Sequence, residues 1–252
     1  MNHAVRRALT VTFCLTLLAG VPAVGATRVA GPATSAEAPV LHVELTYIAK
    51  GRNTAAKGAF VAPAPCTDRV YNLEGGRWKS KYSWSFRAAS TPGGLTKRAA
   101  ESAIRRGVAN IATAHNDCGR PDRVRAKQSY LGRTAVRPSC GFNDGRNVVG
   151  FRPLAPDVAA RACWWVIGNR IVEGDIQINS NIDWATSLAG CKDQLMLEAV
   201  LTHEAGHVFG LAHVGESRHG RLTMSPYIDG VCNNQESTLG LGDLRGLEAL
   251  YP

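Results

Sequence analysis

The sequence predicts a mixed α and β fold, one domain behind an export segment, and three observations carry that prediction. Apolar residues recurring at three, four and seven positions mark two helices, residues 95–114 and 195–209. Short alternating runs, of which Tyr82-Ser83-Trp84-Ser85-Phe86 is the clearest, mark strands before and between them. The first 26 residues pair a basic start, Arg6 and Arg7, with an apolar run from Leu9 to Gly20 that is too short to span a membrane. They end on the small residues Val24-Gly25-Ala26, so cleavage after Ala26 leaves residues 27–252, enough for one substantial core.

Residues 27–39 are rich in Ala, Pro, Thr and Ser and read as a linker. Val40 to Ile48 alternates as a strand, with Val40, His42, Glu44 and Thr46 opposing Leu41, Val43, Leu45 and Tyr47. Residues 50–65 carry Gly and Pro breakers. The segment 27–65 is therefore a linker and N-terminal extension laid against the domain that follows, or a short pro-segment. From Cys66 the patterning tightens. Two short strands flank the turn Glu74-Gly75-Gly76, and Tyr82 to Phe86 forms a strand of the main sheet. Thr91-Pro92-Gly93-Gly94 then precedes the first helix. Its buried stripe is Ala100, Ile104, Val108 and Ile111, while Lys97, Arg98, Glu101 and Arg105 face water. Further strands are expected at Tyr130–Val136, Asn147–Phe151, Cys163–Ile167, Ile171–Glu173 and Asp175–Ile178, with turns at Asn143-Asp144-Gly145 and Gly168-Asn169.

Charge excludes more than it identifies. The formal net charge is +9, or +7 once Arg6 and Arg7 are removed, which aids solubility and favours anionic surfaces. No aromatic–basic interleaving, finger spacing or glycine-rich phosphate loop accompanies it, so no nucleic-acid partner is expected. Nor is a stable membrane insertion. Six cysteines remain beyond the export segment: Cys66, Cys118, Cys140, Cys163, Cys191 and Cys232. That even number after export fits three disulfides, in any of 15 connectivities.

The second helix carries the chemistry, in His203-Glu204-Ala205-Gly206-His207-Val208-Phe209-Gly210-Leu211-Ala212-His213. His203 and His207, four apart, leave one helical face a turn apart. Glu204 is placed to reach a metal-bound water without being a ligand. Gly210 suits a left-handed exit that lets the chain double back, so that His213 supplies a third nitrogen. Three neutral imidazoles with an open fourth position describe a catalytic zinc site. The five fixed positions coincide by chance with a probability of about 10⁻⁵ on this composition, whereas a bare HExxH is common.

HExxHxxGxxH is the signature of the metzincin zinc peptidases, and from Cys66 to Tyr251 the chain resembles the matrixin branch, in particular its compact secreted bacterial members. Further matches are Gly174-Asp175-Ile176-Gln177-Ile178 and Leu239-Gly240-Leu241-Gly242-Asp243. The resemblance implies an α/β (α+β) metzincin-like fold: a twisted, mostly parallel sheet over two long helices, a zinc cleft and a small C-terminal subdomain. It implies residues 66–252 as the catalytic domain, His203, His207 and His213 as zinc ligands, and Glu204 as general base. Met224 would be the methionine of the turn beneath the zinc, and Pro226 and Tyr227 would wall the pocket for the residue after the scissile bond. Tyr227 stands one position nearer the methionine than in common vertebrate members. Asp243 resembles the aspartate that anchors a backbone terminus or the helix-turn region, and equally suits the start of a last helix. The substrate-binding edge strand is expected in or near Asp175 to Trp184.

Larger matrixins hold a second zinc with histidines in the insertion before the active helix. None lies in residues 179–194, so one zinc is expected. Asp144, Asp175 and Asp183 could take calcium but have no recognisable loop spacing to support it. His219 is not expected as a ligand, because a fourth side chain would close the site. Cys118-Gly119-Arg120-Pro121-Asp122 looks like a matrixin cysteine switch. It follows the first helix rather than preceding the domain, and a free Cys118 would leave an odd thiol, so a disulfided loop is expected. Among the pairings Cys191–Cys232 is favoured, tying the entry of the active-site helix to the segment beyond Met224.

The expected protein is a secreted, extracellular and monomeric zinc endopeptidase acting on proteins or peptides. Two alternatives stand beside it: an inactive zinc-bearing binding module, and a zinc hydrolase of cell-wall peptides.

Overall fold

The computed structural model describes residues 37–49, 62–228 and 230–252. The export segment, its cleavage site, most of the linker 27–39 and most of the breaker run 50–65 lie outside the described residues. The chain order is β1 (Val40–Ile48), β2 (Asn72–Leu73), β3 (Tyr82–Phe86), α1 (Lys97–Ala112), β4 (Gln128–Arg133), β5 (Val148–Arg152), β6 (Val158–Ile167) and β7 (Arg170–Asn179). Then come β8 (Trp184–Ala185), β9 (Leu195–Met196), α2 (Leu197–Val208), β10 (Leu211–Ala212), α3 (Glu216–His219), β11 (Tyr227–Ile228) and α4 (Leu241–Leu250).

The central sheet runs β11-β1-β6-β7-β5-β3-β4. Its pairs are parallel except for β1–β6 and β6–β7. The β6–β7 hairpin turns at Gly168, whose φ of +58° suits glycine. In α1 the Thr96 hydroxyl caps the helix by accepting the Ala99 N–H at 3.1 Å. Its predicted stripe, Ala100, Ile104, Val108 and Ile111, is fully buried against the sheet and α2. Glycine sets how closely the two helices approach: a Cβ on Gly107 would overlap Leu201. Tyr82, Trp84 and Phe86 of β3 and Ile176 and Ile178 of β7 complete the core.

Several elements depart from the sequence reading. Ile171–Glu173 and Asp175–Ile178 belong to one strand, β7. Gly174 looks like punctuation in the sequence, but a Cβ there would run into Val208 of α2, so it serves close packing of helix on sheet. Around Glu74-Gly75-Gly76 only β2 forms; it pairs with β10, while Arg77 makes a single bridge to Arg170. Asp175 to Trp184, where a substrate-binding edge was expected, begins in β7, which is enclosed between β5 and β6. Val40–Ile48, by contrast, forms the expected strand and is hydrogen-bonded in the sheet between β6 and β11.

The six cysteines pair as Cys66–Cys118, Cys140–Cys163 and Cys191–Cys232. Cys118 thus has no free thiol in this structure, and its loop is tied to the start of the domain. Among the described residues no helix is long and apolar enough to cross a membrane.

Candidate metal centre

His203 and His207 project from α2, both with no exposure. Gly210 then takes φ of +100°, and a side chain there would collide with the Gly76 carbonyl. This left-handed step turns the chain into β10 and returns His213 to the other two imidazoles. The three Nε2 atoms form a nearly equilateral triangle with edges of 3.0, 3.0 and 3.1 Å.

The opposite ring nitrogens decide what that triangle is. Nδ1 of His203 lies 2.6 Å from the Thr223 carbonyl, Nδ1 of His207 2.9 Å from the Leu211 carbonyl, and Nδ1 of His213 3.1 Å from a Glu44 carboxylate oxygen. Carbonyl and carboxylate oxygens accept, so each Nδ1 carries the proton and each Nε2 is left with a lone pair. Three converging lone pairs cannot hydrogen-bond to one another; a cation among them resolves the conflict. Nitrogens at this spacing can all lie about 2.0–2.1 Å from one zinc ion, and the outer partners orient the rings as metal-bound histidines require. Burial, and then the neighbouring His213, push His203 down to about 3. Burial pushes His207 well below its ordinary value, with His203 and His213 adding to the effect. Both rings are therefore neutral and able to ligate. The residues present fit a zinc ion.

Glu204 is fully buried beside them, and neither carboxylate oxygen has a hydrogen-bond partner. Burial pushes its carboxyl up to about 8; Thr46 and Ala162 oppose the shift and Glu44 adds to it. The Thr46 hydroxyl is likewise buried without a partner. Orphaned polar groups this deep are rare in native folds and mark a place where further polar chemistry is expected.

The floor of the site is a second piece of chain. Met224 is buried under α2, and a Cβ on Gly206 would overlap its sulfur. Asp243, at the start of α4, fixes that turn. Its Oδ2 accepts the Thr223 N–H at 3.0 Å and the Gly240 N–H at 2.9 Å, and its Oδ1 accepts the Met224 N–H at 3.2 Å. It therefore both anchors the turn and caps α4. Burial pushes its carboxyl up to about 6, against those three bonds. Thr223, held in this way, presents its carbonyl to His203.

Of the other sequence candidates, Tyr227 opens β11 opposite Tyr47, and the Pro226 carbonyl accepts the Tyr47 N–H at 2.9 Å. His219 stands apart, 2.8 Å from Asp68. Asp175 accepts the backbone N–H groups of Ser139 and Val148, and Asp144 accepts that of Arg146. Among the described residues the histidine triad is the one such cluster whose ligand atoms converge closely enough to hold a metal.

Sequence reasoning missed the residues that β1 brings to this centre. His42 stacks on Trp164 at 5.4 Å, and Trp164 stacks on His207 at 5.9 Å. Glu44 meets His213, and Thr46 lies beside Glu204. The signal was present: the alternation of β1 puts His42, Glu44 and Thr46 on one face, and a polar inward face is what a polar site needs.

Residues 157–252 match the family model of the matrixins. The match begins just before β6 and contains the three histidines, Glu204, Met224 and Asp243; β1, β3, β4, β5 and α1 precede it. No curated protein matches the chain. The match and the histidine triad together fit a metzincin-like zinc peptidase.

Proposed function

We propose, from the premise that the chain carries a matrixin-like peptidase domain, that it is a secreted zinc endopeptidase with His203, His207 and His213 as ligands of one zinc and Glu204 as general base. The observation that carries this reading is the convergence of three lone-pair Nε2 atoms beside a buried carboxylate with no partner. Bound there, zinc would supply Lewis-acid polarisation of the scissile carbonyl and would acidify the attacking water toward a pKa of about 7. Glu204 takes the proton from that water as it attacks and delivers it to the departing amine nitrogen. Met224 and the Asp243-held turn carry no proton; they keep the Thr223 carbonyl against His203. Three disulfides suit an oxidising, extracellular setting.

Hydrolysis of casein and of purified peptidoglycan by zinc-loaded protein, assayed side by side, tests the reading. Casein cleavage that chelation abolishes supports an endopeptidase. Cleavage confined to peptidoglycan redirects the substrate to cell-wall peptides, and zinc binding with no turnover leaves a binding module.

A further inference from the structure

We propose that the valley between α1 and the edge strand β4, continued past Tyr251 and Pro252, is a docking groove for a linear phosphodiester polymer without bases. The proposal does not depend on the peptidase reading above. β4 ends the sheet on one side, whereas β6, on which α2 packs with its histidines, lies toward the other.

Shape comes first. One hollow of about 940 Å3 lies between α1 and β4, and a second of about 910 Å3 is lined by residues 77–81, 124–127 and 251–252. They share one face of α1: Arg98, Arg105 and Ala109 line the first and Ala112 the second, at helical spacings of seven, four and three. The opposite wall is continuous as well, since Gln128 belongs to the first hollow and Lys127 to the second. At the helical rise, residues 98–112 span about 21 Å, a length that suits a chain rather than a single small anion. The wall is fixed backbone: the Lys127 carbonyl accepts the Tyr82 N–H and the Tyr251 carbonyl accepts the Arg125 N–H, both at 2.9 Å.

Charge comes second. Arg98, Arg105, Arg106 and Arg133 line the first hollow, and Arg77, Lys79, Lys81, Arg125 and Lys127 the second. Only two acidic side chains, Glu101 and Asp122, share that lining, although the chain as a whole has 20 to set against 29 cations. Both are already engaged. Glu101 accepts the Tyr130 hydroxyl at 2.6 Å and the Arg133 guanidinium at 2.8 Å, and Asp122 accepts the Val124 N–H at 2.9 Å. Arg98, Lys79, Lys81, Arg125 and Lys127 are exposed, and none of them is in an ion pair with a described residue. Cations lined up in this way attract a polyanion, whose binding releases its counterions. Guanidinium forks match phosphate oxygens in particular.

What the lining lacks narrows the partner. Single-stranded nucleic acid needs aromatic faces on which bases stack. Trp84, Trp78 and Tyr251 are buried, and the Tyr130 ring has Trp84 at 4.7 Å and the Arg105 guanidinium at 5.0 Å. A membrane surface calls for protruding apolar side chains beside the cations, and no exposed large hydrophobic lines either hollow. An acidic peptide could extend the sheet at β4, but Gly132 takes φ of +98° and the register with β3 breaks there, which interrupts the edge ladder.

The test measures binding of fluorescent poly(glycerol phosphate) to the full chain at about 0.15 M salt. One variant combines Arg98→Gln, Arg125→Gln and Lys127→Gln; a control of equal net charge combines Arg146→Gln, Arg218→Gln and Arg221→Gln, all away from the groove. Unchanged melting temperatures show that both fold. The proposal expects the groove variant to bind about tenfold more weakly or worse, and the control to stay within about twofold of wild type. Equal weakening in the two variants overturns it, because net charge alone then explains the binding. Wild-type binding that does not weaken as salt is raised to about 0.5 M also overturns it. So does tighter wild-type binding of an oligothymidylate, of heparin, of polyglutamate or of phosphatidylglycerol vesicles than of poly(glycerol phosphate), since the groove then serves a different partner.

Discussion

Oε2 of Glu44 lies 3.1 Å from Nδ1 of His213, so the first described strand of the sheet and the last of the three histidines are joined at the centre itself. A carboxylate on the outer nitrogen of a metal-binding imidazole fixes the ring and raises its basicity. His213 beside Glu44 also holds the Glu44 carboxyl below its ordinary value, against the opposing effect of burial.

Glu44→Ala in the intact chain should therefore weaken zinc binding by about tenfold, the low end for loss of such a partner. Glu44→Gln, which keeps an accepting oxygen, should recover most of it. Competition with a fluorescent chelator measures both. Equal affinity in wild type and Glu44→Ala would mean that the contact does not orient His213.

Metal removal should lower stability, because the folded centre binds zinc and the unfolded chain binds it weakly. At a free zinc concentration a thousandfold above Kd the linkage contributes about 4 kcal/mol. Chelation should lower the wild-type melting temperature and leave that of His207→Ala unmoved. A chelator-insensitive wild type would show that no metal is held at this site.

Gly206 is glycine because Met224 lies against it. Gly206→Ala should destabilise by about 1–3 kcal/mol, as overpacking does. Adding Met224→Ala should cost less in that background than in the wild type, since the overlap has then been relieved. Urea unfolding of the four proteins measures the coupling, and strict additivity would contradict the contact.

Burial pushes Asp175 up to about 7, with Glu173 and Asp144 adding, against the N–H groups of Ser139 and Val148. Below the unfolded value of 3.8 both states hold the proton. Between 3.8 and about 7 the unfolded chain has released it and the native state has not, so this group makes stability fall as pH rises across that window. Above about 7 its contribution is flat. Urea unfolding at pH 5 and pH 7 should show a smaller pH-dependent difference for Asp175→Asn than for wild type. The same slope in both would place the titration elsewhere.

What the sequence made legible follows from periodicity and fixed spacing. The stripe of α1, the alternation of β3 and the extended histidine motif are local patterns, and each sits in the structure where its period places it. Gly174 misled because a glycine within a strand has the same one-letter appearance whether the chain turns or a helix packs on it; only the approach of Val208 distinguishes the two. The place of β1 was illegible for a different reason. Its strand character was plain, but which edge it joins depends on partners more than a hundred residues away in β6 and β11. The inward polarity of His42, Glu44 and Thr46 was the one local trace of that destination.

The most direct test of the central claim is peptide hydrolysis by the zinc-loaded chain, measured against Glu204→Gln in the same form with zinc content determined on both. The account predicts one zinc per chain in each protein and at least a hundredfold loss of turnover in the variant, the low end for general acid–base catalysis. Equal turnover in the two proteins, or no zinc in the wild type, would contradict it.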